Sequence, residues 1–150
     1  MASSDAHWKR QTETLTDWFL TSKRVLFITG AGLSADSGLP TYRGIGGLYN
    51  RGTTEDGMAI EEALSGPMLR SRPEICWKYI YQIEAACRGA HPNRGHRAIA
   101  ALENHVESLW VLTQNVDGFH QSAGSTNIIP IHGDVHDLHC TACALSLIHI

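Results

Sequence analysis

The sequence predicts an α/β fold built on a parallel sheet. Two short apolar runs rich in β-branched residues, 25–29 and 109–113, are separated by stretches of helical periodicity. Each run empties into a loop of glycine or small polar residues, the place where open α/β sheets bind ligands. At 150 residues, 43% apolar and 18% charged, the chain suffices for one domain with its own core and is too short for two.

Trp8, Leu15, Trp18 and Phe19 fall at helical spacing, so residues 8–21 are expected to form an amphipathic helix covering the core, closed by Lys23 and Arg24. Residues 25–29 then read as a buried strand. The turn after it, Gly30-x-Gly32-x-x-Ala35, fits the dinucleotide fingerprint in its Gly/Ala form. Gly30 and Gly32 let backbone amides approach an anion with no Cβ in the way, and the helix start that follows adds unpaired N–H groups and a positive dipole end. Taken alone, this pattern fits a plain strand-to-helix turn equally well. Ser34, Ser37 and Arg43 place hydroxyl and guanidinium donors beside it.

Glycines 44, 46, 47 and 52 make residues 41–54 a mobile loop by expectation, of the kind that closes over a ligand. Residues 55–65 follow, with Gly66-Pro67 as a break. Pro73 is a first-turn residue opening a helix to about Arg88, whose apolar stripe is Cys76, Ile80, Ile83 and Cys87. Pro92 opens another helix, with Gly95, Ala98, Ile99 and Leu102 on one face. The strand at 109–113 leads into Gln114-Asn115-Val116-Asp117-Gly118, and a third short strand at 128–131 leads into His132.

A net charge of −3 gives no basic footprint for nucleic acid. Residues 1–10 lack the apolar centre of a secretory signal, and no run approaches the ~20 apolar residues of a membrane span. A cytoplasmic location is the simplest expectation, with the four cysteines as reduced thiols or metal ligands. Cys140-Thr141-Ala142-Cys143 has metal-knuckle spacing.

Three motifs in order resemble those of the sirtuins, the NAD-dependent protein deacylases, in their bacterial form. They are Gly30-Ala31-Gly32-Leu33-Ser34 running on to Thr41-Tyr42-Arg43, then Thr113-Gln114-Asn115-Val116-Asp117-Gly118, then His132-Gly133. The resemblance covers roughly residues 18–143. It implies a Rossmann-like core at about 8–43 and 92–135, a helical insertion at about 44–91, and the start of a zinc module at about 136–143, with 144–150 an atypical tail. It also implies NAD and Zn2+ as cofactors.

By the same resemblance Gly30, Ala31, Gly32 and Ser34 belong to the NAD site. Arg43 lies on a loop that closes over the pyrophosphate, and Tyr42 takes a position, commonly Phe, that shields the reactive ribose carbon. Gln114 and Asn115 meet the nicotinamide ribose and its surroundings, Asn115 with a share in catalysis, and Asp117 holds the nicotinamide carboxamide. His132 is the implied general base, a role suited to imidazole near neutral pH. Cys140 and Cys143 supply half of a zinc site, since no cysteine follows.

Sirtuins that favour acidic acyl groups carry a Tyr-x-x-Arg where this chain has Ile80 and Ile83, so the substrate implied is acetyl-lysine, or another uncharged acyl-lysine, of a protein. The products are nicotinamide and O-acetyl-ADP-ribose, with the present chain a fragment of the enzyme. A sirtuin-type NAD hydrolase or ADP-ribosyltransferase, and an NAD-binding module without turnover, are the alternatives. His120, His136 and His139 read as structural or solvated, and His91 and His96 as capping or solvent-facing residues around a helix start.

Overall fold

The computed structural model describes residues 2–39, 53–140, 142, 143 and 145. Tyr42, Arg43 and nearly all of the expected loop at 41–54 therefore lie outside the described residues. Three strands, β1 (Arg24–Thr29), β2 (Ser108–Thr113) and β3 (Ile128–Pro130), form a parallel sheet in the order β1-β2-β3. Register pairs Val25 with Leu109, Phe27 with Val111 and Thr29 with Thr113, so β1 and β2 end side by side. Both polar loops are thereby brought to one edge of the sheet.

Alternation along the strands decides what the sheet buries. Leu109 and Val111 are buried with Ile99 and are packed by Val25, Phe27, Leu33, Leu102 and Val106. The opposite face carries Leu26, Ile28, Trp110 and Ile129, all exposed. Thus β1 is not a strand buried on both faces, as its unbroken apolar run suggested.

Helix α1 (Ala2–Thr21) begins earlier than expected and ends before Lys23, while Arg24 opens β1. It does not cover the core: Trp8, Leu15 and Trp18 are exposed. Its last turn meets the sheet through Phe19, stacked on Phe27 with ring centroids 6.0 Å apart. Along its length Thr12, Thr14, Thr16 and Thr21 return their hydroxyls to carbonyls four residues back.

After β1 comes α2 (Ala31–Ser34), a single turn that tightens into a 3-10 turn over Ala35–Ser37 and closes at Gly38 with φ 83°. So short an element supplies amides but no sizeable macrodipole, which tempers the expectation of a positive helix end.

The helical segment has its own core, Ile60, Ala63, Ile75 and Tyr79, built by α3 (Ile60–Ala63), α4 (Gly66–Ser71) and α5 (Pro73–Cys87). Gly66-Pro67 is not a break but the first turn of α4. Ser65 caps that turn by accepting from the Met68 amide at 3.2 Å, and proline suits a position whose N–H would be unpaired anyway. In α5, Cys76, Ile83 and Cys87 are buried as expected, whereas Ile80 is half-buried. Tyr79, outside the expected stripe, is the most buried residue of the helix, and its hydroxyl donates to Asp56 Oδ2 at 2.5 Å.

Helix α6 (Arg94–Leu102) starts one residue after its cap, Asn93, not at Pro92. Asn93 Oδ1 accepts from the Gly95 and His96 amides, and His96 Nδ1 accepts from the Asn93 amide, a reciprocal capping box. His96 thus caps, as one reading of it proposed, but it is fully buried. Ala98 is exposed, so the inward face is Gly95, His96, Ile99 and Leu102. A Cβ on Gly95 would meet Leu33 Cδ1 at 2.8 Å, which is why α6 can approach the glycine turn so closely. After β2 the chain makes α7 (Phe119–Ser122), a single turn. No helix among the described residues is long and apolar enough to cross a membrane.

Candidate functional site

The paired ends of β1 and β2 create the site. Beyond the last rung, the Gln114 amide donates to the Thr29 carbonyl at 3.0 Å, carrying the ladder one step into both loops. Three buried polar side chains then converge. Ser34 Oγ donates to Asp117 Oδ2 at 2.6 Å. Asn115 Nδ2 donates to Ser34 Oγ at 3.0 Å and to the Gly30 carbonyl at 3.1 Å. Asp117 Oδ1 accepts from the Phe119 amide, the first of α7, at 3.0 Å.

This arrangement leaves defined capacity. The two amide hydrogens of Asn115 are spent within the network, which leaves its carbonyl oxygen available as an acceptor. Each oxygen of Asp117 accepts one hydrogen bond and can accept another. A carboxamide NH2 is a donor that such a carboxylate can bind. Among the described residues, Gly30 and Gly32 face open space, since a Cβ built on either meets nothing within 4 Å, and Gly30 is extended at φ −150°. That is room for a bulky anion beside the backbone amides of the turn.

Ser34, expected as a hydroxyl donor beside the loop, gives its hydrogen to Asp117. Gln114 is exposed, whereas Asn115 and Asp117 beside it are buried. The Ser37 hydroxyl is buried without a partner among the described residues.

His132 lies just past β3, exposed, in a turn closed by the Gly133 amide on the Pro130 carbonyl at 3.1 Å. The turn is stitched to the Asn115–Asp117 loop: the Val135 amide donates to the Val116 carbonyl at 2.8 Å. Gly118, at φ 68°, leaves its missing Cβ where Asp134 Oδ2 would come within 2.7 Å. The structure therefore brings the third motif beside the second.

Beneath the site sit two histidines read from the sequence as structural, solvated or capping, and a threonine with no role assigned to it there. Thr29 Oγ1 and His120 Nε2 are hydrogen-bonded at 2.9 Å, both buried. His120 and His96 lie edge to face with ring centroids 5.0 Å apart. Burial pushes both imidazoles below their ordinary value; the neighbouring His96 lowers His120 further, while the Asp117 charge pulls both the other way. The available signal was His120 in the first turn after Asp117, three positions on.

At the other end, Cys140 is half-buried and Cys143 exposed, and both are free thiols. The amides of Ala142 and Cys143, with the Cys143 thiol, hydrogen-bond to Cys140 and lower its thiol pKa. Amides directed at a sulfur ease its deprotonation, which suits a metal ligand, and two thiols at this spacing are the donor set of half a zinc site. No group of three or more His, Cys, Asp or Glu that could hold a metal occurs among the described residues.

The NAD-dependent protein deacylase 2 of Pseudomonas aeruginosa is 60% identical over 124 residues, covering 81% of this chain and 48% of the relative. A solved Sir2 homologue in complex with NAD superposes with a TM-score of 0.74 at 37% identity, over 90% of this chain and 50% of that one. A Sir2 complex with a p53 peptide and NAD+ superposes with a TM-score of 0.72 at 28% identity, over 91% of this chain and 52% of that one. The chain spans about half the length of the curated relatives it matches. Its Rossmann-like sheet is theirs, and the Sir2 family profile matches residues 30–149, opening on the glycine turn at Gly30; the chain belongs to the Sir2 family.

Proposed function

We propose that this chain forms the NAD-binding part of an NAD-dependent protein deacylase acting on acetyl-lysine or another uncharged acyl-lysine. The observation that carries the reading is the convergence of Ser34, Asn115 and Asp117 beside Gly30, because it offers a nicotinamide amide an acceptor and a fixed position. Relatives named NAD-dependent deacylases, and a solved neighbour in complex with a p53 peptide and NAD+, support both the cofactor and the class of substrate.

Each residue has a distinct task in this reading. Gly30, Ala31 and Gly32 receive the pyrophosphate, Arg43 covers it, and Tyr42 shields the reactive ribose carbon. Asp117 accepts from the nicotinamide carboxamide, while Asn115 and Gln114 meet the adjoining ribose. Holding the ring in one pose lowers the barrier to its departure by pre-organisation. His132, exposed at a strand end beside this loop, is the base that removes a proton from a ribose hydroxyl. Ile80 and Ile83 on α5 offer no partner to a charged acyl group. Cys140 and Cys143 hold one side of a structural zinc ion.

The test joins this chain to the carboxyl-terminal half of the Pseudomonas aeruginosa relative and measures nicotinamide release. Release that requires an acetyl-lysine peptide, and that vanishes in His132→Ala while NAD still binds, is expected. Release without peptide would replace deacylation by NAD hydrolysis, and wild-type turnover by His132→Ala would remove the base.

A further inference from the structure

The hydrogen bonds around the site close into a ring. From Ser34 Oγ the path runs to Asp117 Oδ2, from Asp117 Oδ1 to the Phe119 amide, and along one peptide to His120. His120 Nε2 meets Thr29 Oγ1, the chain passes to Gly30, and the Gly30 carbonyl accepts from Asn115 Nδ2, which returns to Ser34. Five of its members, Thr29, Ser34, Asn115, Asp117 and His120, are buried polar residues drawn from both strand ends.

In this ring His120 is the link between α7 and β1. Its other nitrogen, Nδ1, is buried without a partner among the described residues, and the ring is wedged edge-on against His96. Its 2.9 Å bond to Thr29 is thus the polar contact that sets the imidazole, and through α7 it sets Asp117 as well.

We propose that His120 is a positioning residue for the nicotinamide-binding groups. It fixes the end of β1 against α7, so that the Gly30 carbonyl keeps the Asn115 amide turned with its oxygen toward the ligand. The proposal rests on the reading of Asn115 and Asp117 as ligands of nicotinamide. It assigns a task to a histidine that touches neither cofactor nor substrate.

The experiment uses the 15N-labelled chain and follows the side-chain amide of Asn115 by NMR in Thr29→Val, His120→Leu and His120→Gln. Thr29→Val keeps the shape of the strand end and removes only the hydroxyl. In the wild type the two amide protons are expected to be well separated and slow to exchange. In Thr29→Val and His120→Leu exchange rises about fivefold, the effect of losing one buried hydrogen bond. His120→Gln, whose amide reaches the same hydroxyl, restores the wild-type signal. On the same samples, the NAD dissociation constant rises about fivefold in Thr29→Val, whereas affinity for ADP-ribose, which lacks nicotinamide, is unchanged.

An Asn115 amide indifferent to Thr29→Val overturns the proposal, and so does equal loss of NAD and ADP-ribose binding. Should His120→Leu fail to fold, Thr29→Val alone decides. A wild-type chain that binds no NAD would count against the proposed function, while the Asn115 amide would still judge His120.

Discussion

Ser34 Oγ donates to Asp117 Oδ2 at 2.6 Å although 83 residues separate them in sequence. Ser34 sits on the turn after β1 and Asp117 on the loop after β2. The contact therefore exists only because Thr29 and Thr113 are partners in the parallel register. It fastens the glycine turn to the acidic loop and occupies one acceptor site of a buried carboxylate.

Removing the hydroxyl should be costly. Ser34→Ala leaves a buried carboxylate oxygen and one hydrogen of the Asn115 amide without their partner, a loss of about 2 kcal/mol for a bond to a charged group. Urea unfolding of the variant should show a lower midpoint at unchanged slope. An unaltered midpoint would mean that Asp117 is solvated in solution and the network is not formed.

The two buried histidines set an acid limit. In the folded chain both titrate below the 6.5 of a free imidazole, principally because burial disfavours the charged ring. The unfolded chain therefore takes up protons first as pH falls, so stability is complete above about 6.5 and declines below it. Urea midpoints at pH 7.5 and 5.5 should differ in that direction, and the difference should shrink in His120→Gln. A midpoint that rises on acidification would contradict the burial of these rings.

Much of this site was legible because its parts are local. A β-branched run stopping at a glycine marks a strand end, and Pro73 marks a helix start, whatever the rest of the molecule does. What could not be read were the joins. Nothing near His120 in sequence announces Thr29, its partner 91 residues away, so the ring looked like any other histidine. Gln114 looked equivalent to Asn115 until the loop after β2 turned one outward and the other inward. An apolar run such as 25–29 also carries no period to say that Leu26 and Ile28 stay exposed while Val25 and Phe27 pack against the cluster of Ile99, Leu109 and Val111. The exposed stripe of α1 has the same origin: spacing gives a face, but only the tertiary fold supplies something to put against it.

The cysteines should separate cleanly by reactivity. Burial pushes the Cys87 thiol up to about 11 and raises Cys76 as well, whereas backbone amides lower Cys140. Because the thiolate is the nucleophile, brief treatment of the native chain with iodoacetamide should label Cys140 ahead of Cys76 and Cys87. Zinc added beforehand should protect Cys140 and Cys143 together. Mass spectrometry of the digested protein reads both effects, and faster labelling at Cys87 would show that α5 does not pack as described.

The glycines offer a way to separate folding from binding within one motif set. At Gly118 the backbone lies at φ 68°, and a Cβ would come within 2.7 Å of Asp134 Oδ2. Gly118→Ala must accept the left-handed conformation and displace the Asp134 carboxylate, a destabilisation of about 1–2 kcal/mol from the backbone alone. At Gly30 and Gly32 neither constraint applies among the described residues, because the added methyl meets nothing within 4 Å. Gly30→Ala and Gly32→Ala should therefore unfold at the wild-type urea midpoint and still lose NAD affinity, because the proposed function puts the pyrophosphate in the space the methyl would take. Gly30→Ala binding NAD as the wild type does would move the anion away from this turn, and with it the assignment of Gly30, Ala31 and Gly32. A destabilised Gly30→Ala would instead show that the turn is more tightly packed in solution, and that its glycine serves the fold before it serves the ligand.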